Sequence, residues 1–143
     1  MSTENCIFCK IARKDLPAKI VYENEAVLAF LDISPISDGH TIVIPKNHYL
    51  NIESIPVEEL NKTIEVVKYI ATLIHNRLNI DGYNILQNNF LAAGQVVNHF
   101  HFHIIPRRLN DEKFKLYIPR EQAPEESLDG ILATLKNDSF YSK

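Results

Sequence analysis

No stretch of the chain approaches the roughly 18 consecutive apolar residues that a bilayer-spanning helix needs. Met1 to Asn5 are polar, and no apolar secretory core follows them. The expectation is a cytoplasmic protein with no membrane partner. There is no excess of basic charge either. Fifteen Lys and Arg stand against 18 Asp and Glu, for a net charge of −3. That argues against a broad nucleic-acid-binding surface. It leaves room for a small anionic ligand, which answers to local geometry. Cysteine is scarce. The only two, Cys6 and Cys9, lie three positions apart. Under reducing conditions such a pair reads as metal ligands or free thiols rather than as a structural disulfide. No internal repeat, low-complexity tract or domain boundary interrupts the chain. What remains is 143 residues, 45% of them hydrophobic. That is one domain, residues 1–143, able to bury one core.

The hydrophobic pattern divides the chain into short elements. Ile7, Phe8 and Ile11 have helical spacing over residues 6–14, and the helix ends before Pro17. Lys19 to Tyr22 and Ala26 to Leu31 read as two strands, and His40 to Ile44 as a third after the Asp38-Gly39 turn. Ser54-Ile55-Pro56 opens the longest helix, which runs to about Asn79 with Leu60, Ile64, Val67, Ile74 and Leu78 on one stripe. Gly82 to Gln87 is a strand, and Asn88 to Asn98 is a loop. Pro124 to Leu135 has the apolar side of a further helix. Strands mostly in hairpin order with single helices between them predict an α+β fold on an antiparallel sheet.

The most informative stretch is His99-Phe100-His101-Phe102-His103-Ile104-Ile105-Pro106. Histidine and large apolar residues alternate with the period of a strand. Phe100, Phe102 and Ile104 then face a core, and three imidazoles about 7 Å apart face a site. Pro106 is expected to end the strand. Three imidazoles so placed can share a metal, move protons, or supply a nucleophile for phosphorus. A histidine titrating near pH 6.5 keeps a neutral, nucleophilic fraction at physiological pH.

His99 to Ile105 resembles the signature of the histidine triad (HIT) family, in which histidines alternate with apolar residues. Cys6 to Ile11, Phe30 to Pro35, Gly39 to Lys46 and Asn88 to Gln95 resemble that family's other blocks, in the same order, so the likeness covers about residues 5–108. Residues 109–143 form a C-terminal extension outside it. The resemblance implies a five-stranded antiparallel sheet with two helices, joined into a ten-stranded sheet across a homodimer.

It also implies an activity: a nucleotide hydrolase or transferase that cleaves at the α-phosphate of a purine nucleoside monophosphate conjugate, of the adenosine phosphoramidate kind. His101 would be the nucleophile, through a nucleotidyl-histidine intermediate. The main-chain carbonyl of His99 would hold the other ring nitrogen of His101, and His103 would donate to a phosphate oxygen. Gln95 and the backbone around Gly94 resemble the phosphate-cradling turn, and Asn88 matches a position that contacts phosphate or ribose. Asp32 matches the ribose-binding carboxylate. Ile7, Phe8, Ile11, Phe30 and Ile33 match the apolar slot for the base, and His40 takes a supporting hydrogen-bonding role. Cys6, Cys9, His48 and His99 match a structural zinc site, and the chemistry itself requires no cofactor. The chain departs from the pattern at Val96, where relatives often carry a Ser or Thr that assists the leaving group. Other readings stay open: a diadenosine polyphosphate hydrolase, a nucleotide-binding or interaction protein with little turnover, or a metalloenzyme using His99, His101 and His103 together.

Overall fold

The computed structural model describes residues 3–113 and 119–137. They fall into two compact units, Met1–Lys113 and Phe114–Lys143.

In the first unit a 3-10 turn, Thr3–Asn5, leads into helix α1, Ile7–Ala12. Strands β1, Ile20–Glu23, and β2, Val27–Leu31, form a hairpin. Asn24 closes it, its Oδ1 accepting the N–H groups of Ala26 and Val27 at 2.9 and 2.8 Å, as asparagine does in tight turns. Strand β3 is Thr41–Pro45, helix α2 is Val57–Arg77, strand β4 is Gly82–Leu86 and strand β5 is Phe102–Arg107. The sheet order is β1-β2-β3-β5-β4, with every neighbouring pair antiparallel. The five-stranded antiparallel sheet and the two helices expected beside it are therefore present.

Helices cover both faces of this sheet. Thr63, Val66, Val67, Ile70, Ala71 and Ile74 of α2 are buried. All of these but Thr63 belong to a core with Val27, Ala29, Val43, Phe100, Phe102 and Ile104. On the opposite face, Phe8, Cys9 and Ile11 of α1 pack with Leu28, Phe30, Ile42 and Ile44. Successive residues of β2 and β3 thus enter different cores, which explains why these strands are apolar almost without alternation. Within α2 the buried stripe differs from the expected one. Ile64 and Leu78 are both 41% exposed, while Thr63 and Ile70 are fully enclosed. A shift of one residue rotates a side chain by about 100° around a helix, enough to leave the buried stripe.

Two features of the histidine stretch differ from expectation. Regular pairing begins only at Phe102, so His99 to His101 precede the strand. Continuing the β3–β5 register past Val43↔Phe102 would set Pro45 opposite Phe100, and proline has no N–H to give a ladder. Phe100 N–H bonds instead to the Tyr49 carbonyl at 2.7 Å. The alternation of faces survives, with Phe100 fully buried against α2. Pro106, in turn, does not end β5 but lies inside it, opposite Tyr83. Its carbonyl accepts from Ser37 Oγ at 2.6 Å, on the side away from β4. In an extended strand the N–H would point to that same side, so the ladder loses no bond.

In the second unit α3 spans Glu125–Leu135, and Leu128, Ile131, Leu132 and Leu135 are exposed on it.

Candidate active site

His99, His101 and His103 do not converge on one point. Each ring is held by a different partner, and the hydrogen bonds fix which nitrogen carries the proton.

His99 is fully buried. Its Nε2 lies 2.8 Å from the Pro45 carbonyl. A carbonyl only accepts, so Nε2 carries the hydrogen and Nδ1 keeps the lone pair. That Nδ1 faces Cys6 Sγ at 3.4 Å, Cys9 Sγ at 3.5 Å and His48 Nδ1 at 3.2 Å. His48 Nδ1 is also 3.3 Å from Cys9 Sγ. The four donor atoms of Cys6, Cys9, His48 and His99 all lie within 4.8 Å of one another. Around a tetrahedral zinc the usual bond lengths imply an N···N edge of about 3.3 Å and an N···S edge of about 3.6 Å. The His99–His48 edge and the three N···S edges given above are close to these values. Two thiols and two imidazoles, with a main-chain carbonyl orienting one ring, are a donor set able to hold a zinc ion. Burial pushes the Cys9 thiol up to about 11, with the neighbouring Cys6 adding to it.

Cys6 is also the N-cap of α1, its Sγ accepting the Cys9 N–H at 3.5 Å. The two-residue spacing of the cysteines is the first turn of this helix.

His101 is buried, 5% exposed. Its Nδ1–H donates to the His99 carbonyl at 2.7 Å, leaving the lone pair on Nε2. The ring stands edge-on to Phe8, 5.1 Å between centroids, and 4.8 Å from the ring of His103. Burial lowers its affinity for a proton, opposed by the bond to His99.

His40 and His103 form a directed pair. The Ile36 N–H donates to His40 Nδ1 at 3.1 Å, so the hydrogen of that ring sits on Nε2. Nε2 lies 2.9 Å from His103 Nδ1, which must accept. His103 therefore carries its own hydrogen on Nε2, available as a donor. Asp32 Oδ2 is 3.6 Å from His40 Nε2, and Asp32 Oδ1 accepts the Ser34 N–H at 2.8 Å. Asp32, His40 and His103 are close enough to hold a metal. The bonds from Ile36 onward order the protons of His40 and His103, with Asp32 beside them.

Burial holds His103 down to about 4, with His101 and His40 adding and Asp32 opposing. The sign follows directly. Between pH 6.5 and 4 the unfolded chain protonates this residue and the folded chain does not, so stability is full above pH 6.5 and declines as pH falls through that window. His101, His40 and Asp32 are the ionisable groups around it. The expected outcome is that His103→Asn, which keeps an acceptor for His40, loses less Tm between pH 6.5 and 4 than the wild type. Parallel thermal melts across that range measure this, and identical slopes would remove His103 as the cause.

The remaining sequence candidates divide between surface and core. Phe8, Ile11 and Phe30 are buried in the core on the α1 face, whereas Ile7 is 45% and Ile33 92% exposed. Gly94 has φ of +91°, the left-handed region that suits glycine. Gln95 is buried and turned inward: its Oε1 accepts the Phe90 N–H at 2.8 Å, and its Nε2 donates to the Leu50 and Val97 carbonyls at 2.6 and 3.1 Å. Its side chain clamps the loop. Asn88 is half-buried beside Gly94. Val96 is 86% exposed. The contacts that sequence reading missed are backbone groups, the Pro45 carbonyl and the Ile36 N–H, and a backbone group has no letter in a sequence.

Known proteins similar in sequence and in structure identify the family. The HIT domain model matches residues 13–110. An uncharacterized HIT-like protein of Methanocaldococcus jannaschii is 54% identical over 106 residues, 74% of this chain and 81% of its own. The adenosine 5'-monophosphoramidase of Candida albicans is 36% identical over 143 residues, covering 96% of this chain and 93% of its own. A HIT family structure from Bacillus subtilis superposes with a TM-score of 0.86 at 41% identity, over 92% of this chain and 94% of that one. A zinc-bound histidine triad family protein from Mycobacterium smegmatis superposes with a TM-score of 0.74 at 40% identity, over 94% and 97%. By fold, by the HIT domain it contains and by its similarity to these proteins, the chain is a member of the HIT family.

Proposed function

We propose that this protein hydrolyses conjugates of a purine nucleoside monophosphate, of the adenosine phosphoramidate type, through a nucleotidyl intermediate on His101. One observation carries the reading: a buried imidazole whose Nδ1–H is bonded to a main-chain carbonyl, and whose Nε2 lone pair is thereby left for attack. Family membership and the similarity to a monophosphoramidase support a nucleotide hydrolase in general terms.

In the first step Nε2 of His101 bonds to the α-phosphorus, the phosphorus–nitrogen bond breaks, and the nitrogen takes a proton from solvent and leaves as the neutral amine. In the second, water adds to phosphorus, the bond to His101 breaks, and the nucleoside monophosphate leaves. Charge grows on the phosphate oxygens on the way. The Nε2–H of His103, its orientation imposed by His40 and Ile36, is the preset donor for one of them. Burial keeps both His101 and His103 neutral near pH 7, so one attacks and the other donates without prior titration. Asp32 would receive the ribose hydroxyls, and the exposed Ile33 and Ile7 would touch the base over a floor containing Phe8. A slot of this kind, with few polar contacts, discriminates weakly between bases.

Cys6, Cys9, His48 and His99 would hold a zinc ion. With all four positions taken by protein, the ion would be structural and tie α1 and the His48 loop to the segment that positions His101. The outer edge of β4, which pairs only with β5 among the described residues, carries half-exposed Tyr83, Ile85 and Leu86. That apolar edge supports a homodimer joined there.

The test is turnover of adenosine 5'-phosphoramidate with intact mass recorded on rapid quenching. The expected result is release of AMP together with a transient nucleotidyl adduct on the protein. Turnover without any adduct, under conditions that trap intermediates, would point to direct attack by water and sink the covalent route.

A further inference from the structure

The loop between β4 and His99 contains a residue in a conformation that its side chain opposes. Phe90 has φ of +68° and ψ of +161°. This region is close to glycine-only, because a Cβ crowds the backbone there. The conformation is nonetheless firmly held. Phe90 N–H donates to Gln95 Oε1 at 2.8 Å, and its carbonyl receives the N–H groups of Ala93 at 3.2 Å and Gln95 at 3.1 Å. Gln95 itself is buried and anchored to Leu50 and Val97.

Packing gives no return for this strain. Phe90 is 56% exposed and belongs to neither hydrophobic core. Glycine would satisfy the same backbone bonds at lower cost. A strained position that keeps a large ring without burying it is the pattern of a residue retained for a ligand.

The position indicates which ligand. The loop leaves β4 at Leu86, which is paired in register with His103, and returns at His99, two residues before His101. Both ends are thus fixed at the histidine segment, and the clamp on Gln95 sets the Phe90 backbone beside the turn that carries Val96. Val96 is 86% and Leu91 84% exposed. The loop thus presents three exposed apolar side chains between the strand paired with His103 and the segment that carries His101.

We infer that Phe90 is a specificity-determining residue that contacts substrate: its ring, with Val96, receives an apolar or aromatic amine as the leaving group. The inference rests on the hydrolytic reading above. An aromatic contact of this kind changes relative rates by roughly tenfold.

The experiment compares kcat/KM for adenosine 5'-phosphoramidate and its N-benzyl derivative, using wild type, Phe90→Gly and Phe90→Tyr, with Tm and oligomeric state measured for each. In wild type the N-benzyl compound is preferred. In Phe90→Gly that preference falls about 5- to 10-fold, while Tm rises by a few degrees as the backbone relaxes. Phe90→Tyr retains the preference. Equal losses on both substrates, or an unchanged ratio in Phe90→Gly, would overturn the assignment. So would a lower Tm in Phe90→Gly, which would show that the ring packs, or a change of oligomeric state with selectivity intact. If wild type turns over neither compound, the hydrolytic reading fails and takes this inference with it. Turnover of both with no effect at Phe90 removes this inference alone.

Discussion

Replacing His101 by asparagine is expected to lower kcat at least about a thousandfold, abolish the nucleotidyl adduct, and leave bound zinc and Tm nearly unchanged. The size of the effect follows from what His101 would do. A carboxamide nitrogen has no available lone pair, so no covalent intermediate forms, and neither His99 nor His103 can take over. His99 Nδ1 faces the cysteines, and His103 Nδ1 accepts from His40. The stability of the variant follows from the site's construction. The ring of His101 makes one main-chain hydrogen bond and an edge contact with Phe8, both of which asparagine approaches in part. Steady-state kinetics, metal analysis and a thermal melt on one preparation read all three. A kcat within tenfold of wild type would remove His101 as nucleophile.

The second large effect is expected on removing the proposed zinc. Cys9→Ser and His48→Ala should purify with little zinc, melt roughly 8–16 °C lower, and lose about 10- to 100-fold in kcat. The first figure comes from mass action. A site filled at about 1,000 times its Kd contributes about 4 kcal/mol, and in a chain of this size each kcal/mol moves Tm by about 2–4 °C. The second reflects the usual cost of disturbing a group that orients a reacting one. His99 belongs to the cluster and also supplies the carbonyl that orders His101, so loosening of the cluster would reach His101 through one residue. Metal content, calorimetry and kinetics with and without a chelator provide the check. Wild type that contains no zinc and melts identically in chelator would exclude a structural ion.

These effects were legible in the sequence to different degrees. The alternation at His99 to Ile104 could be read because strand period places every second residue on one face, and the faces hold even where regular pairing has not begun. The Cys6-x-x-Cys9 spacing could be read because one helical turn brings both thiols to one side. The stripe of α2 was only partly legible. Ile64 and Leu78 are as apolar as residues that are buried, and only the position of the sheet decides which side of the helix is covered. Pro106 misled because proline usually ends a strand. It is tolerated here because its missing N–H faces away from β4.

The sequence by itself determined residue chemistry and local period: which side chains carry imidazole, thiol or carboxylate, and which face of a short element each occupies. Contacts between segments were decided by the tertiary structure. Cys9 and His48 are 39 positions apart and Cys9 and His99 are 90, yet their donor atoms meet. The same holds for proton positions. The Pro45 carbonyl, the Ile36 N–H and the His99 carbonyl set the tautomers of His99, His40 and His101. Every residue other than proline carries the same backbone donor and acceptor, so no sequence distinguishes the ones that matter. Only the fold, by bringing a particular carbonyl or amide to a particular ring, leaves the lone pair on Nδ1 of His99 and on Nε2 of His101 and the hydrogen on Nε2 of His103.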